Sequence, residues 1–279
     1  MVIASMILSL GAVLPVAALI KSRRAKTMKK EDLKKDFIKV LESIDRSKHR
    51  QDNFRNFCEM AYCAIAKRTQ TDTEKADALE DRYMEIVGTY QNKDDVRIMP
   101  ELMDLTTQAI INARCDFLGE IAADISALDT KNGQFFTPYD VAKLMTKMQM
   151  PDIPKLIEDK GFFSLSDPAA GAGCMLLVAA DCVEEAGYNP MDCMSVHAIE
   201  LNRTTYHMLY IQLSLRGIAA QVIHGNSLSL ETFTGAYTPA AIHFFGKHGR
   251  LFDPPSKDPE KKPITITPII NAEQLSLFG

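Results

Sequence analysis

Three polar side chains stand where short apolar runs stop: Asp167 after Phe162-Phe163-Ser164-Leu165-Ser166, Glu200 after Ser195-Val196-His197-Ala198-Ile199, and Asn226 after Gln221-Val222-Ile223-His224-Gly225. Each run has the length and composition of a buried strand, so the three polar groups are expected at strand tips. Between the first two lies Asp167-Pro168-Ala169-Ala170-Gly171-Ala172-Gly173, which runs directly into the apolar helix begun by Cys174-Met175-Leu176-Leu177. Glycines at that turn let the backbone approach a ligand, and the helix start offers N–H groups without partners. A carboxylate at the second strand tip, here Glu200, 33 residues after Asp167, is where nucleotide-binding sheets hold ribose hydroxyls. Asn226, beside Gly225, can reach an adenine edge. A lone Gly-x-Gly is an ordinary strand-to-helix turn as often as a ligand loop. Three such tips in order fit a nucleoside cofactor lying across the carboxyl ends of a parallel sheet.

The stretch Asp-Pro-Ala-Ala-Gly-Ala-Gly at 167–173 resembles the cofactor loop of the DNA adenine-N6 methyltransferases, nearest to the modification subunits of type I restriction-modification systems. Gly133-Gln134-Phe135-Phe136-Thr137-Pro138, followed by a helix over 139–148, resembles the segment that precedes that loop in the same family. The likeness covers roughly residues 100–230 and its motif order is specific. It implies an α/β fold: a Rossmann-like S-adenosylmethionine-dependent methyltransferase core, truncated after strand 4, with an N-terminal helical domain. It further implies that Phe136, Thr137 and Pro138 hold the methionine end of S-adenosylmethionine. Asp167, Ala169, Gly171 and Gly173 would line the methionine and ribose, Glu200 the ribose, and Asn226 the adenine. One of Phe135 and Phe136 is expected to be plain core.

The chemistry itself requires acceptors aimed at both hydrogens of an adenine exocyclic amine, and an aromatic ring against a base swung out of the duplex. The family pattern for this is Asn or Asp, Pro, Pro and an aromatic residue. Asp253-Pro254-Pro255-Ser256 stands 27 residues beyond Asn226 and lacks the aromatic. Asp253, Pro254 and Pro255 are therefore candidate catalytic residues that a chance tripeptide in a loop would also explain. Ala240–Phe245, a six-residue apolar run, is expected to be the fourth strand. Only 23 residues follow Ser256, with prolines at 259, 263 and 268 that favour an extended chain. Two functions remain open. One is a site-specific adenine-N6 DNA methyltransferase, acting with a specificity or completing subunit. The other is a catalytically inactive accessory protein that keeps the cofactor pocket. A small-molecule methyltransferase fits the loop and its upstream Phe-Phe-Thr-Pro less well.

Amphipathic helices must flank these elements. Leu33, Phe37, Val40, Leu41 and Ile44 share one face over 31–46, and a similar stripe runs over 52–67. A third helix is expected over 73–87, and a fourth from residue 95 or 99 to 125, broken near Pro100. Expected boundaries are a hydrophobic segment at 1–27, a helical domain at 28–125, a cofactor-binding domain at 126–256 and an extended tail at 257–279. Arg46, Lys48, His49, Arg50 and Arg55 are clustered enough to meet phosphate, although such runs are commonly solvated faces.

A net charge of −4 gives no global basic footprint, so DNA contact would have to be local. The six cysteines form no Cys-x-x-Cys pair and sit among apolar neighbours, which points to buried thiols in a reducing cytoplasm and away from a metal site. Residues 2–20 carry no charge and are followed by Lys21, Arg23, Arg24 and Lys26. They read either as an upstream extension before a start at Met28 or as an inner-membrane anchor with the domain in the cytoplasm. At the other end, Gln274-Leu275-Ser276-Leu277-Phe278 resembles the peptide by which replication and repair proteins dock on the β sliding clamp. Leu277 and Phe278 would fill its apolar pocket, with Leu275 beside them and Gln274 at the rim.

Overall fold

The structure is a computed structural model that describes residues 28–127, 137–150 and 152–252. Five helices come first: α1 (Lys30–Ser43), α2 (Arg50–Ala66), α3 (Thr73–Gly88), α4 (Lys93–Ala113) and α5 (Phe117–Asp124). Then α6 (Tyr139–Gln149) and α7 (Ile153–Lys160) lead into β1 (Phe163–Asp167), α8 (Cys174–Glu185), the short α9 (Pro190–Cys193) and β2 (Met194–Glu200). The chain continues through α10 (Arg203–Leu215), β3 (Ala219–Asn226), β4 (Glu231–Tyr237) and α11 (Pro239–His248).

Several helix starts are set by side chains that satisfy otherwise unpaired amides. Asp72 accepts from Glu74 and Lys75 at α3, Asn92 from Asp94 at α4, and Asp116 from Gly119 at α5. Asn202 does the same for Thr205 at α10. The expected break near Pro100 does not occur, and α4 runs through it. Met99, Leu102 and Met103 are at most 1% exposed, and their burial around the proline outweighs the lost backbone bond, a cost of about 3 kcal/mol. The chain turns instead at Arg114, which takes a left-handed φ of 48°.

The sheet order is β1-β2-β3-β4, with β1, β2 and β3 parallel. The fourth strand differs from the expectation in place and direction. It spans Glu231–Tyr237 and pairs antiparallel with β3, whereas Ala240–Phe245 lies inside helix α11. Asn226 explains the reversal: its side-chain oxygen accepts from the amides of Leu228 and Ser229, tying a tight turn directly after β3. Pro239 in the first turn and the burial of Ala240, Ala241 and Phe244 at helical spacing explain α11. A six-residue apolar run does not by itself distinguish the two periods.

One continuous apolar core runs from Leu33 and Phe37 in α1 to Val196, Ala198 and Val222 in the strands. The α2–α10 contact is the principal seam, where the Tyr206 hydroxyl donates to that of Tyr62 at 2.9 Å. Glu59 there receives both Arg82 and Arg203. All six cysteines are buried and free. No helix among the described residues is long and apolar enough to cross a membrane, and 2–20 lie outside them.

Candidate functional site

β1, β2 and β3 end at Asp167, Glu200 and Asn226, so the parallel ladder brings the three sequence candidates to one edge of the sheet. Register pairs Asp167 with Ala198 and Glu200 with His224, placing the tips side by side. The glycine loop crosses this edge. Gly171 and Gly173 have φ of 57° and 97°, conformations that L side chains avoid, and they turn β1 into α8. Ala170 donates its amide to the carbonyl of Ile199 at 3.0 Å, and Gly171 donates to Glu200 Oε2 at 3.0 Å. The loop is thus fastened to the tip of β2.

Asp167 is 3% exposed. Its carboxylate accepts from the Ala169 amide at 3.1 Å. Burial pushes its pKa up to about 6, the neighbouring Glu200 charge adds to this, and the Ala169 bond opposes it. Burial also raises Glu200, against the amides of Asn202, Gly171 and Leu201. No salt bridge to either carboxylate is found among the described residues. Two acceptor-only groups side by side, each with lone pairs to spare, are complementary to hydroxyls and an ammonium group. The amides that open α8 add donors, since Gly173 at its start carries no side-chain cap.

Thr137 and Pro138 come to the same loop: the Cys174 thiol at the start of α8 donates to the Thr137 carbonyl at 3.5 Å. Tyr139, which opens α6, donates to Asp181 Oδ2 at 2.7 Å, and Asp181 pairs with Arg216 at 2.7 Å. This chain of contacts holds the Thr-Pro segment against α8. Asn226 spends its carboxamide oxygen on the turn to β4, leaving the NH2 group to offer a ligand. Phe136, Asp253, Pro254, Pro255, Gln274, Leu275, Leu277 and Phe278 lie outside the described residues. The basic cluster is largely spent on neighbours, with Lys48 on Asp45, Arg50 on Glu42 and Arg55 on Asp52. Among the described residues no group of His, Cys, Asp and Glu could hold a metal ion.

Sequence reading missed the support beneath the loop. A Cβ on Gly173 would sit 2.8 Å from Leu209 Cδ1, and the Ala172 carbonyl accepts from Gln212 at 2.8 Å. Leu209 and Gln212 are one turn apart on α10. The only signal in the sequence was a glutamine inside an otherwise apolar helix face.

Residues 118–244 match the family model for N-6 DNA methylase. This segment is similar to that family over somewhat less than half of the chain. It contains the glycine loop, Asp167, Glu200 and Asn226, and ends before Asp253. Among solved structures, the chain is similar to a Listeria monocytogenes protein described as a class I S-adenosylmethionine-dependent methyltransferase. The identity is 14% with a TM-score of 0.38, covering 71% of this chain and 55% of that one. It is also similar to the methyltransferase subunit of a type I restriction-modification system from Streptococcus thermophilus. There the identity is 14% with a TM-score of 0.37, covering 72% of this chain and 59% of that one. The chain therefore spans less than two thirds of the length of either protein. Among curated proteins none matches it.

Proposed function

We propose that the chain binds S-adenosylmethionine across the tips of β1, β2 and β3 and serves in adenine-N6 methylation of DNA, as a modification subunit of the type I kind. The observation that carries this reading is the convergence of Asp167 and Glu200 on the glycine loop, with no basic side chain among the described residues to satisfy them. A ligand rich in hydroxyl and ammonium donors completes both. Glu200 would take the ribose hydroxyls, while Asp167, Ala169, Gly171, Gly173, Phe136, Thr137 and Pro138 would enclose the methionine end. The Asn226 NH2 would donate to an adenine ring nitrogen. S-adenosylmethionine supplies an electrophilic methyl group when bound. Asp253 and the Pro254 carbonyl would accept hydrogen bonds from the two hydrogens of the target amine, one of which leaves as a proton when the methyl group is gained, and positioning carries the rest. DNA, and a specificity or completing subunit, are the partners this role requires.

A second reading is favoured by the direction of β4. An antiparallel fourth strand returns the chain to the far end of the sheet, so its end does not deliver an acceptor beside the loop. In this reading the chain is a cofactor-binding accessory without transfer activity, brought to replicating DNA by Gln274, Leu275, Leu277 and Phe278 on the sliding clamp.

Calorimetric titration of the protein with S-adenosylmethionine tests the shared part: binding by the wild type, lost in Asp167→Ala and Glu200→Ala, is expected. A folded wild type that does not bind refutes both readings. Transfer of a labelled methyl group to DNA, abolished by Asp253→Ala, selects the first. Binding without transfer, together with clamp capture that Leu277→Ala and Phe278→Ala abolish, selects the second.

A further inference from the structure

Gln212 is fully buried in α10, and both donors and one lone pair of its amide are used on the start of α5 and on the glycine loop. Its oxygen accepts from the Leu118 amide at 3.0 Å. Its nitrogen donates to Asp116 Oδ1 at 2.7 Å and to the Ala172 carbonyl at 2.8 Å. The orientation is unambiguous, because a carboxylate and a carbonyl both require a donor. Asp116 is itself 3% exposed and caps α5 through the Gly119 amide at 3.0 Å. A Cβ at position 119 would collide with the Asp116 carboxylate, so the cap and the glycine are matched. On the other side Ala172 lies between the two left-handed glycines of the ligand loop. One side chain therefore joins the start of α5 to the middle of that loop, and Leu209, one turn away, supports Gly173 from below.

We propose that Gln212 is a positioning residue for the cofactor loop, and that through Asp116 the N-terminal helices set the loop's geometry. The inference rests on the reading of that loop as a ligand site, but the coupling itself can be measured without ligand. Pulling α5 away removes an acceptor and a donor from Gln212, which then releases the Ala172 carbonyl. A buried amide with one partner missing carries the full cost of desolvation, so the three contacts form or fail together.

The test is hydrogen exchange on the full chain without ligand, followed by titration with S-adenosylmethionine. Gln212→Met should speed exchange in two segments at once, 169–174 and 117–120, and weaken S-adenosylmethionine affinity by about tenfold, the effect of one buried hydrogen bond at the upper end of its range. Asn53→Ala is the matched control. It loses buried bonds to the Ile44 carbonyl at 2.8 Å and the Tyr90 hydroxyl at 3.0 Å, and should leave exchange at 169–174 unchanged. Should Gln212→Met fail to fold, Asp116→Ala serves. That residue does not touch the loop, yet its loss should raise exchange at 169–174. Unchanged loop exchange in a folded Gln212→Met or Asp116→Ala protein overturns the proposal. If the wild type binds no S-adenosylmethionine while both segments still open together, the coupling stands and the cofactor reading fails.

Discussion

Gly173→Ala perturbs the cofactor loop at the point where backbone conformation and packing both forbid a side chain. The residue has φ of 97°, and the added methyl would stand 2.8 Å from Leu209 Cδ1 and 3.7 Å from Leu213 Cδ2. A non-glycine residue in the left-handed region costs about 1–2 kcal/mol. Displacing the end of one leucine adds about 1 kcal/mol, the low end of overpacking, because the atom belongs to a flexible side chain. Gly187 supplies the control: its φ is 89°, and nothing lies within 4 Å of where its added methyl would stand. Gly187→Ala should therefore show the conformational cost alone. Urea denaturation of wild type and both variants, with unchanged slopes, gives the difference. Gly173→Ala is expected to lose about 2–3 kcal/mol and Gly187→Ala about 1–2 kcal/mol. Equal losses would show that Leu209 does not support the loop, and no loss at either site would refute the left-handed assignment.

Asp167→Asn should change stability in a pH-dependent way. The carboxyl titrates near 6 in the folded chain against about 3.9 unfolded. The folded state thus binds more protons between those values, and its stability falls as pH rises through that window. The variant should be more stable than wild type at pH 7 by up to about 3 kcal/mol, and equal to it near pH 4. Denaturation midpoints at the two pH values check this, and a variant advantage that persists at pH 4 would contradict it. Arg216→Met leaves Asp181, 3% exposed, without its guanidinium, while Glu184 keeps Arg114. Breaking such a buried pair should cost about 3–5 kcal/mol, and adding Asp181→Asn should restore part of it. A loss below about 1 kcal/mol would place the pair among solvated surface bridges.

The strands ending at Asp167, Glu200 and Asn226 were legible because each is a short apolar run stopped by a polar group; the structure shifts the first by one residue and lengthens the other two by a few. Helices α1 to α3 were legible from their apolar stripes for the same reason. The fourth strand was not. Glu231-Thr232-Phe233-Thr234 has strand composition, but its exposure on both faces gives none of the alternation that marks a half-buried strand. Ala240–Phe245 gave the opposite error, since its burial at helical spacing becomes visible only once Phe162 and Ala219 are known to lie beneath it. Pro100 misled because helix propensity is a local term and the burial of its neighbours is not. Gln212 stood out only as a glutamine on an apolar face, and its role could not be assigned because its three partners are 40, 94 and 96 residues distant.

The reversal at β4 constrains where an acceptor for the target amine can come from. Tyr237 pairs with Gln221, near the start of β3, and Thr238 is held there by the Ile218 carbonyl and the Ala220 amide. From that end of the sheet α11 runs beneath the strands, and its His243, Lys247 and His248 meet Asp192, just before β2. Phe252 then stacks its edge on His197 at 6.0 Å between ring centroids. His197 precedes Glu200 by three residues on β2, a rise of about 10 Å. Any residue that serves the amine must recover that distance from Phe252, which an extended chain does in about three residues. Asp253-Pro254-Pro255 are the three that follow. At that rise Asp253, one residue on, recovers only about 3 Å and Pro255 is the first to draw level with the ligand edge, so what decides between the two proposed functions is whether the Asp253 carboxylate acts there.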